Sequence, residues 1–287
     1  MKKVYVLYNP LSGHKDGESG VLGVKKFYPD NEILYKSLID IQYKQFFASI
    51  NEEDDVIICG GDGTLNVFAN ETQDIPYKNT VLYYATGSGN DFLHDVGKQK
   101  GEAPFCINEY MQNLPVASMN GKTYRFINNV GFGIDGYCCE VGDELRAANE
   151  PNINYTAIAI KGLLFNYKPT GATITVDGKE YRYDNVWIAP TMKGKYYGGG
   201  MMAAPAQDRT NEEVSVVAFY GKSRLRTLMV FPSIFKGEHI KHTKAVAIHT
   251  GKNITVRFDS PRTVQVDGET VKNVQEYTVE TKVPAKV

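Results

Sequence analysis

The sequence has few cysteines, few histidines and almost no excess of charge. Its four cysteines, Cys59, Cys106, Cys138 and Cys139, form no C-x-x-C pair, and the adjacent Cys138–Cys139 has no second pair to match it. That pattern argues against a zinc site and suits small core residues in a reducing cytosol. The five histidines, His239, His242 and His249 among them, show no metal-ligand spacing with acids. Lys and Arg number 32 against 33 Asp and Glu, a formal net charge of −1. Global basicity for a nucleic-acid partner is therefore absent, and any anion site must be local. No apolar run approaches the ~20 residues that span a bilayer. The opening MKKVYVLYNP is apolar for five residues before Asn9 and Pro10, too short for a signal-peptide core and suited to a first strand. These absences predict a cytoplasmic protein and leave peripheral contact at the inner face of the membrane open.

What is present predicts a packed core: 42% of the 287 residues are hydrophobic and 23% charged. Strand-like KVYVLY, DVIIC and TVLYYAT alternate with helix-like DIQYKQFFASI, TLNVFANE and NEYMQNL. Such alternation predicts a parallel sheet covered on both faces, with Asp40 as a candidate N-cap. After about residue 115 the pattern becomes β-rich. Asn120–Gly121, Asp177–Gly178 and Asp267–Gly268 each join two alternating runs, the sequence mark of a tight hairpin. We expect an α/β domain over residues 1–122 and a β-rich domain over 123–287, whose last strands return to the first.

Three glycine-bearing segments follow the three early strands. GGDGT (Gly60, Gly61, Asp62, Gly63, Thr64) follows DVIIC; NPLSGHKDG, with Asn9, Ser12, Gly13 and Lys15, follows KVYVLY; TGSGND, with Thr86, Gly87, Ser88, Asn90 and Asp91, follows the third. Glycine lets backbone N–H groups approach a ligand, and a helix opening there aims its positive end at an anion. A lone Asp cannot hold phosphate, but it can hold a Mg²⁺ that does. The bland alternative for GGDGT is a tight strand-to-helix turn with a capping Asp. Three such loops at the carboxyl edge of one parallel sheet predict a ligand site. VGFGIDG also carries G-x-G-x-x-G spacing at Gly131, Gly133 and Gly136, but it lies in the β-rich part without a βαβ unit, and we expect no dinucleotide site there.

NPLSG, GGDGT and GSGNDF, in this order, resemble the diacylglycerol kinase catalytic family, which includes bacterial lipid kinases and sphingosine kinases. FINNVGFGID, YYGGGMMAAPA, FKGEHIKH and VQVDGE extend the resemblance over nearly the whole chain. It implies a Rossmann-like α/β nucleotide-binding domain, a C-terminal antiparallel β-sandwich domain, and ATP-dependent phosphorylation of a lipid alcohol, diacylglycerol above others. By the same resemblance, the nucleotide is met by Asn9, Ser12, Gly13, Lys15, Gly60, Gly61, Gly63, Thr64, Thr86, Gly87, Ser88 and Asn90. Asp62 and Asp91 serve Mg²⁺, and Asp267 is the general base followed by Glu269. Asp62 is a competing base. Residue chemistry alone does not separate Asp267 from Asp177, since VDGE and VDGK are locally alike and Asp-Gly is what a hairpin turn prefers.

The chain departs from the family at Asn211–Glu212, where an Asp-Gly pair is usual, which puts a structural metal near Asp208–Glu213 in doubt. Lys193 and Lys195, before the GGG loop, are read either as phosphate contacts or as solvated lysines. The segment from Lys222 to His242 interleaves basic and apolar residues, either as a membrane-surface helix or as one packed on the sandwich. NAD kinase, which shares the GGDG loop, and a nucleotide-binding regulatory protein are the rival functions.

Overall fold

The computed structural model describes residues 2–10, 17–87, 89–150 and 153–281. The chain divides into two compact units, Met1–Gln112 and Asn113–Val287.

In the first unit, strands β1 (Val4–Tyr8), β2 (Ile33–Ser37), β3 (Asp55–Gly60), β4 (Val81–Ala85) and β5 (Phe105–Cys106) form one sheet in the order β2-β1-β3-β4-β5. The first four are parallel and β5 is an antiparallel edge. Helices α1 (Gly17–Leu22), α2 (Tyr43–Ser49), α3 (Asp62–Glu71), α4 (Asp91–Asp95) and α5 (Asn108–Gln112) fall between or after the strands. A sheet covered on both faces needs apolar side chains on both sides of each central strand. β1 supplies them: Val4 and Val6 pack with Val21, Val24, Ile57 and Cys59, while Tyr5 on the opposite face meets Phe46 edge-on at 5.5 Å. The helix expected from Asp40 begins instead at Tyr43. Asp40 has φ of 60°, a left-handed turn conformation that a helix cannot include.

The second unit contains β6 (Val116–Met119), β7 (Lys122–Arg125), β8 (Asn129–Gly133), α6 (Ile134–Ala147), α7 (Tyr155–Lys161), β9 (Thr170–Val176) and β10 (Lys179–Met192). They are followed by β11 (Tyr196–Tyr197), β12 (Met201–Met202), β13 (Val214–Tyr220), α8 (Arg224–Val230), β14 (Val246–Gly251), β15 (Asn253–Val266) and β16 (Glu269–Glu280). All of these strands except the small β11–β12 pair join one antiparallel nine-stranded sheet. The 14-residue strands β10 and β15 serve twice: their first halves flank β9, and their second halves flank β8. The predicted hairpin turns are all present. Asn120–Gly121, Asp177–Gly178 and Asp267–Gly268 each take positive φ at both residues, the twist-compatible turn that Asn-Gly and Asp-Gly favour.

The main core of this unit contains Val130, Phe132, Ile174, Val256, Phe258, Val264 and Tyr277. Phe132 stacks on Phe258 at 4.4 Å and on Tyr277 at 5.2 Å between ring centres, so one ring binds β8, β15 and β16 together. Phe132→Ala is expected to cost about 3–5 kcal/mol of unfolding free energy. Denaturant titration checks this; a loss below about 1 kcal/mol would show that the stack is not central to the core.

Candidate functional site

The first unit places the described starts of its glycine-bearing segments as expected. β1, β3 and β4 are adjacent and parallel, so the segments after them emerge at the same carboxyl edge. Ser12, Gly13, Lys15 and Ser88 lie outside the described residues, while Asn9 directly follows β1. The loops after β3 and β4 are bonded to each other. The Gly60 carbonyl accepts N–H bonds from Thr86 and Gly87, both at 2.9 Å, and the Tyr83 hydroxyl at 3.0 Å. The Asp62 amide donates to Gly89 at 3.2 Å, and the Asn90 side chain donates to the Gly87 carbonyl. This contact requires glycine, since a Cβ on Gly87 would lie 2.5 Å from Cα and N of Gly61. Helix α3 opens at Asp62 with Gly61 as its N-cap, two residues before the sequence-based start at Thr64.

Asp62 does cap a helix, though not its own. Its Oδ2 accepts the Asp91 amide at 2.8 Å and its Oδ1 the Phe92 amide at 3.2 Å. The carboxylate thus satisfies the open N–H groups of α4 and favours its dipole. Asp91, first residue of α4, is itself buried. Asp62, Asp91 and the amide ends of α3 and α4 therefore converge on the carboxyl edge of the sheet. Thr64 is half-buried in the first turn of α3, and Gly63 is exposed with open space where a side chain would stand.

In the second unit, Asp267 occupies the first position of its hairpin turn at φ 45°. Its Oδ2 accepts the Ile127 amide at 2.5 Å, and its Oδ1 accepts those of Asn128 and Asn129 at 2.8 and 2.9 Å. The 127–129 segment is held from a second side by the buried Arg209, which donates to the Ile127 carbonyl and to Asn128 Oδ1. Asp177 has the same form: φ is 47°, and its carboxylate accepts the amides of Lys252 and Asn253. Both aspartates are thus turn residues that bind a neighbouring strand end. They differ in setting, since Asp177 is exposed and Asp267 half-buried. Glu269 stands exposed at the start of β16, paired in register with Val266.

Some residues here carry no sequence signal. Gln265 is buried, and its Oε1 accepts the Gly268 amide at 2.9 Å, which supports the Asp267 turn from behind. Asp135, the first-turn acid of α6, lies over Gly131, where a Cβ would stand 2.8 Å from Asp135 Oδ2. The glycines of VGFGIDG are thus accounted for by packing: a side chain at Gly131 would also come 2.7 Å from Pro190 Cα, and those at Gly133 and Gly136 would meet the backbone of β10 and β15. Lys193 is not a solvated lysine. It is 5% exposed, and its ammonium donates to the Asn211 carbonyl at 2.6 Å. Burial, aided by Arg209, lowers it to about 8. In the departing 208–213 segment a buried ammonium thus meets the backbone, and no group of three or more His, Cys, Asp or Glu gathers among the described residues to hold a metal.

Asp135 is half-buried as a residue, yet its Oδ2 is shielded from solvent and has no hydrogen-bond partner. Burial pushes its carboxyl up to about 7, against the Gly136 amide and the Gln265 side chain, which pull it down. Cys138, Cys139, Tyr167 and Tyr277, which feel its charge, are all pushed upward by burial and stay neutral in this range. The folded chain therefore holds this proton more tightly than the unfolded chain, whose carboxyl titrates near about 4. Its contribution to stability is complete below about pH 4 and is lost as pH rises through about 7. Asp135→Asn lacks this titration, so its stability relative to the parent chain is expected to improve from pH 5 to pH 8. Parallel stability curves over that range would contradict the assignment.

Comparison with known proteins follows the same division. Residues 3–118 match the diacylglycerol kinase catalytic domain, and residues 128–285 match the YegS C-terminal NAD kinase beta sandwich-like domain. A diacylglycerol kinase of Mycobacterium tuberculosis is 25% identical over 281 residues, covering 93% of this chain and 88% of that protein. A diacylglycerol kinase of Bacillus subtilis is 24% identical over 280 residues, covering 94% and 90%. The crystal structure of a diacylglycerol kinase from Bacillus anthracis superposes with a TM-score of 0.62 at 19% identity, covering 100% of this chain and 98% of that one, which shows a shared fold. Among the described residues no helix is long and apolar enough to cross a membrane.

Proposed function

The chain belongs to the diacylglycerol kinase catalytic family, and from that premise we propose that it transfers the γ-phosphate of ATP to a lipid hydroxyl, with diacylglycerol the leading acceptor. One observation carries the reading: at the carboxyl edge of a parallel sheet, two glycine-bearing loops are bonded together through an acid, Asp62, beside two helix N-termini.

Phosphoryl transfer asks a protein mainly for positioning and for neutralisation of charge. Gly61 and Gly63 would offer amides of the α3 terminus to phosphate and Thr64 its hydroxyl, since the Thr64 amide is bonded to the Gly61 carbonyl, with Asn9, Gly60, Thr86, Gly87 and Asn90 shaping the nucleotide's bed. Ser12, Gly13, Lys15 and Ser88 keep the roles that the family resemblance implies. Asp62 and Asp91 would hold Mg²⁺. The donor set fits, because a carboxylate oxygen that accepts an amide keeps further lone-pair capacity, and a hydrated Mg²⁺ asks for only one or two carboxylates. Bound Mg²⁺ would supply neutralisation of the phosphate charge. Asp267 would take the proton of the attacking hydroxyl, and the three amides that it accepts fix its orientation. Glu269 follows on the same hairpin.

The test is incorporation of labelled phosphate from ATP, with Mg²⁺, into mixed micelles of diacylglycerol, a sphingoid base, phosphatidylglycerol or a polyprenol, with NAD as a separate acceptor. Label is expected in diacylglycerol. Asp62→Ala and Asp267→Asn should each lower turnover by about 10² or more, while Asp177→Asn stays within a few-fold of the parent. Folded protein that labels only NAD, or no lipid, would overturn the reading. Equal losses in folded Asp177→Asn and Asp267→Asn would reduce Asp267 to a turn residue.

A further inference from the structure

A structural metal near Asp208–Glu213, which the family resemblance leaves in doubt, would need oxygen ligands there. Mg²⁺ and Ca²⁺ are held by carbonyls and carboxylates. In this loop, between β12 and β13, those oxygens already accept nitrogen or hydroxyl donors. The Asn211 carbonyl takes the Lys193 ammonium at 2.6 Å. The carbonyls of Asp208 and Glu213 take the side-chain amide of Gln207 at 3.3 and 2.9 Å. Asp208 Oδ1 accepts the Thr210 amide at 2.9 Å and the Thr210 hydroxyl at 2.7 Å. The Glu212 carboxylate is paired with Lys252 at 2.9 Å. The residues present therefore do not suit a divalent ion.

A lysine stands there instead. Lys193 directly follows β10 and is buried. A buried ammonium is costly unless its bonds offset the loss of water. The cost is visible: burial, with Arg209 beside it, lowers Lys193 to about 8, while the exposed acids Asp208 and Glu212 pull the other way. Its bonds tie separate segments together. The Lys193 amide donates to the Asn128 carbonyl at 2.8 Å, while the ammonium holds Asn211. Two residues before Asn211, the buried Arg209 donates to the Ile127 carbonyl at 3.0 Å and to Asn128 Oδ1 at 2.9 Å. On its other side, Gln207 Oε1 accepts the Ser215 hydroxyl of β13 at 2.6 Å. Arg209 is thus carried on a loop anchored at Gln207 and at Asn211. The segment that Arg209 braces supplies the three amides accepted by Asp267.

We infer that Lys193 is the resident cation of the 207–213 loop, in the place of a bound metal, and that through Arg209 and residues 127–129 it is a positioning residue for Asp267. The role at the loop needs no chemistry. The role toward Asp267 rests on the lipid-kinase reading, in which that carboxylate takes a proton.

Amide hydrogen exchange of the nucleotide-free full chain tests the loop. In the parent, exchange at Thr210, Asn211 and Ile127–Asn129 should be the same in EDTA as with Mg²⁺ or Ca²⁺. Lys193→Met should quicken it at these amides at least about tenfold and leave β1, β3 and β4 at the parent rate. Lys244→Met, at an exposed lysine of the same unit, should change nothing. Global stability is a poor judge, because Met removes the buried charge together with its bond. Loop protection that appears only with a divalent ion would overturn the inference, and that comparison needs no variant. So would parent-like exchange at these amides in folded Lys193→Met. Turnover tests the positioning role. Lys193→Met should lower kcat for lipid phosphorylation at least about tenfold and keep KM for ATP within about twofold of the parent, since the nucleotide loops belong to the first unit. Unchanged kcat in a variant whose 127–129 amides are loosened would overturn that role. A parent that transfers no phosphate to lipid would overturn the kinase reading, and with it the role toward Asp267, but not the exchange result.

Discussion

Two hydrogen bonds from the amides of Asp91 and Phe92 to the Asp62 carboxylate join the loop after β3 to the loop after β4. Each is a bond to a charged acceptor, of a kind that contributes about 1.5–3 kcal/mol. Together with the three bonds on the Gly60 carbonyl, they hold the starts of α3 and α4 at one edge of the sheet. The close pass of Gly87 over Gly61 follows from the same contact, so the glycines serve the loop-to-loop bond as well as any ligand. A carboxylate so employed is not thereby excluded from chemistry. It is fixed in place, which is what a group that orients a cation needs.

The second unit uses the same device. A turn aspartate accepts the amides at the end of a neighbouring strand, once at Asp177 and once at Asp267. Around Asp267 the support is deeper: Arg209 braces the donor segment, Gln265 holds the turn, and Asp135 lies behind β8. This difference in surroundings separates two turns that are alike in local sequence, and it is where the proposal for Asp267 gains physical content.

The alternation of strand and helix, and the Asn-Gly and Asp-Gly turns, were legible because they rest on local rules: burial of both sheet faces, and positive φ at two turn residues. The position of the glycine loops was legible for the same reason, since a parallel sheet sends every strand end to one edge. What escaped depended on distant neighbours. Lys193 reads as an exposed lysine until Asn211, 18 residues on, accepts its ammonium. Asp135 reads as part of a glycine-rich decoy until β15 buries its carboxyl. Asp62 reads as a cap for the helix beside it, and only the fold reveals that it caps α4 instead.

Amide hydrogen exchange with and without ATP and Mg²⁺ tests the central claim most directly, that the joined loops form the nucleotide's bed. Slowed exchange is expected at Gly61–Thr64 and at Thr86, Gly87 and 89–92, with loss of that protection in Asp62→Ala. Protection confined to other segments, or none at saturating nucleotide, would contradict it.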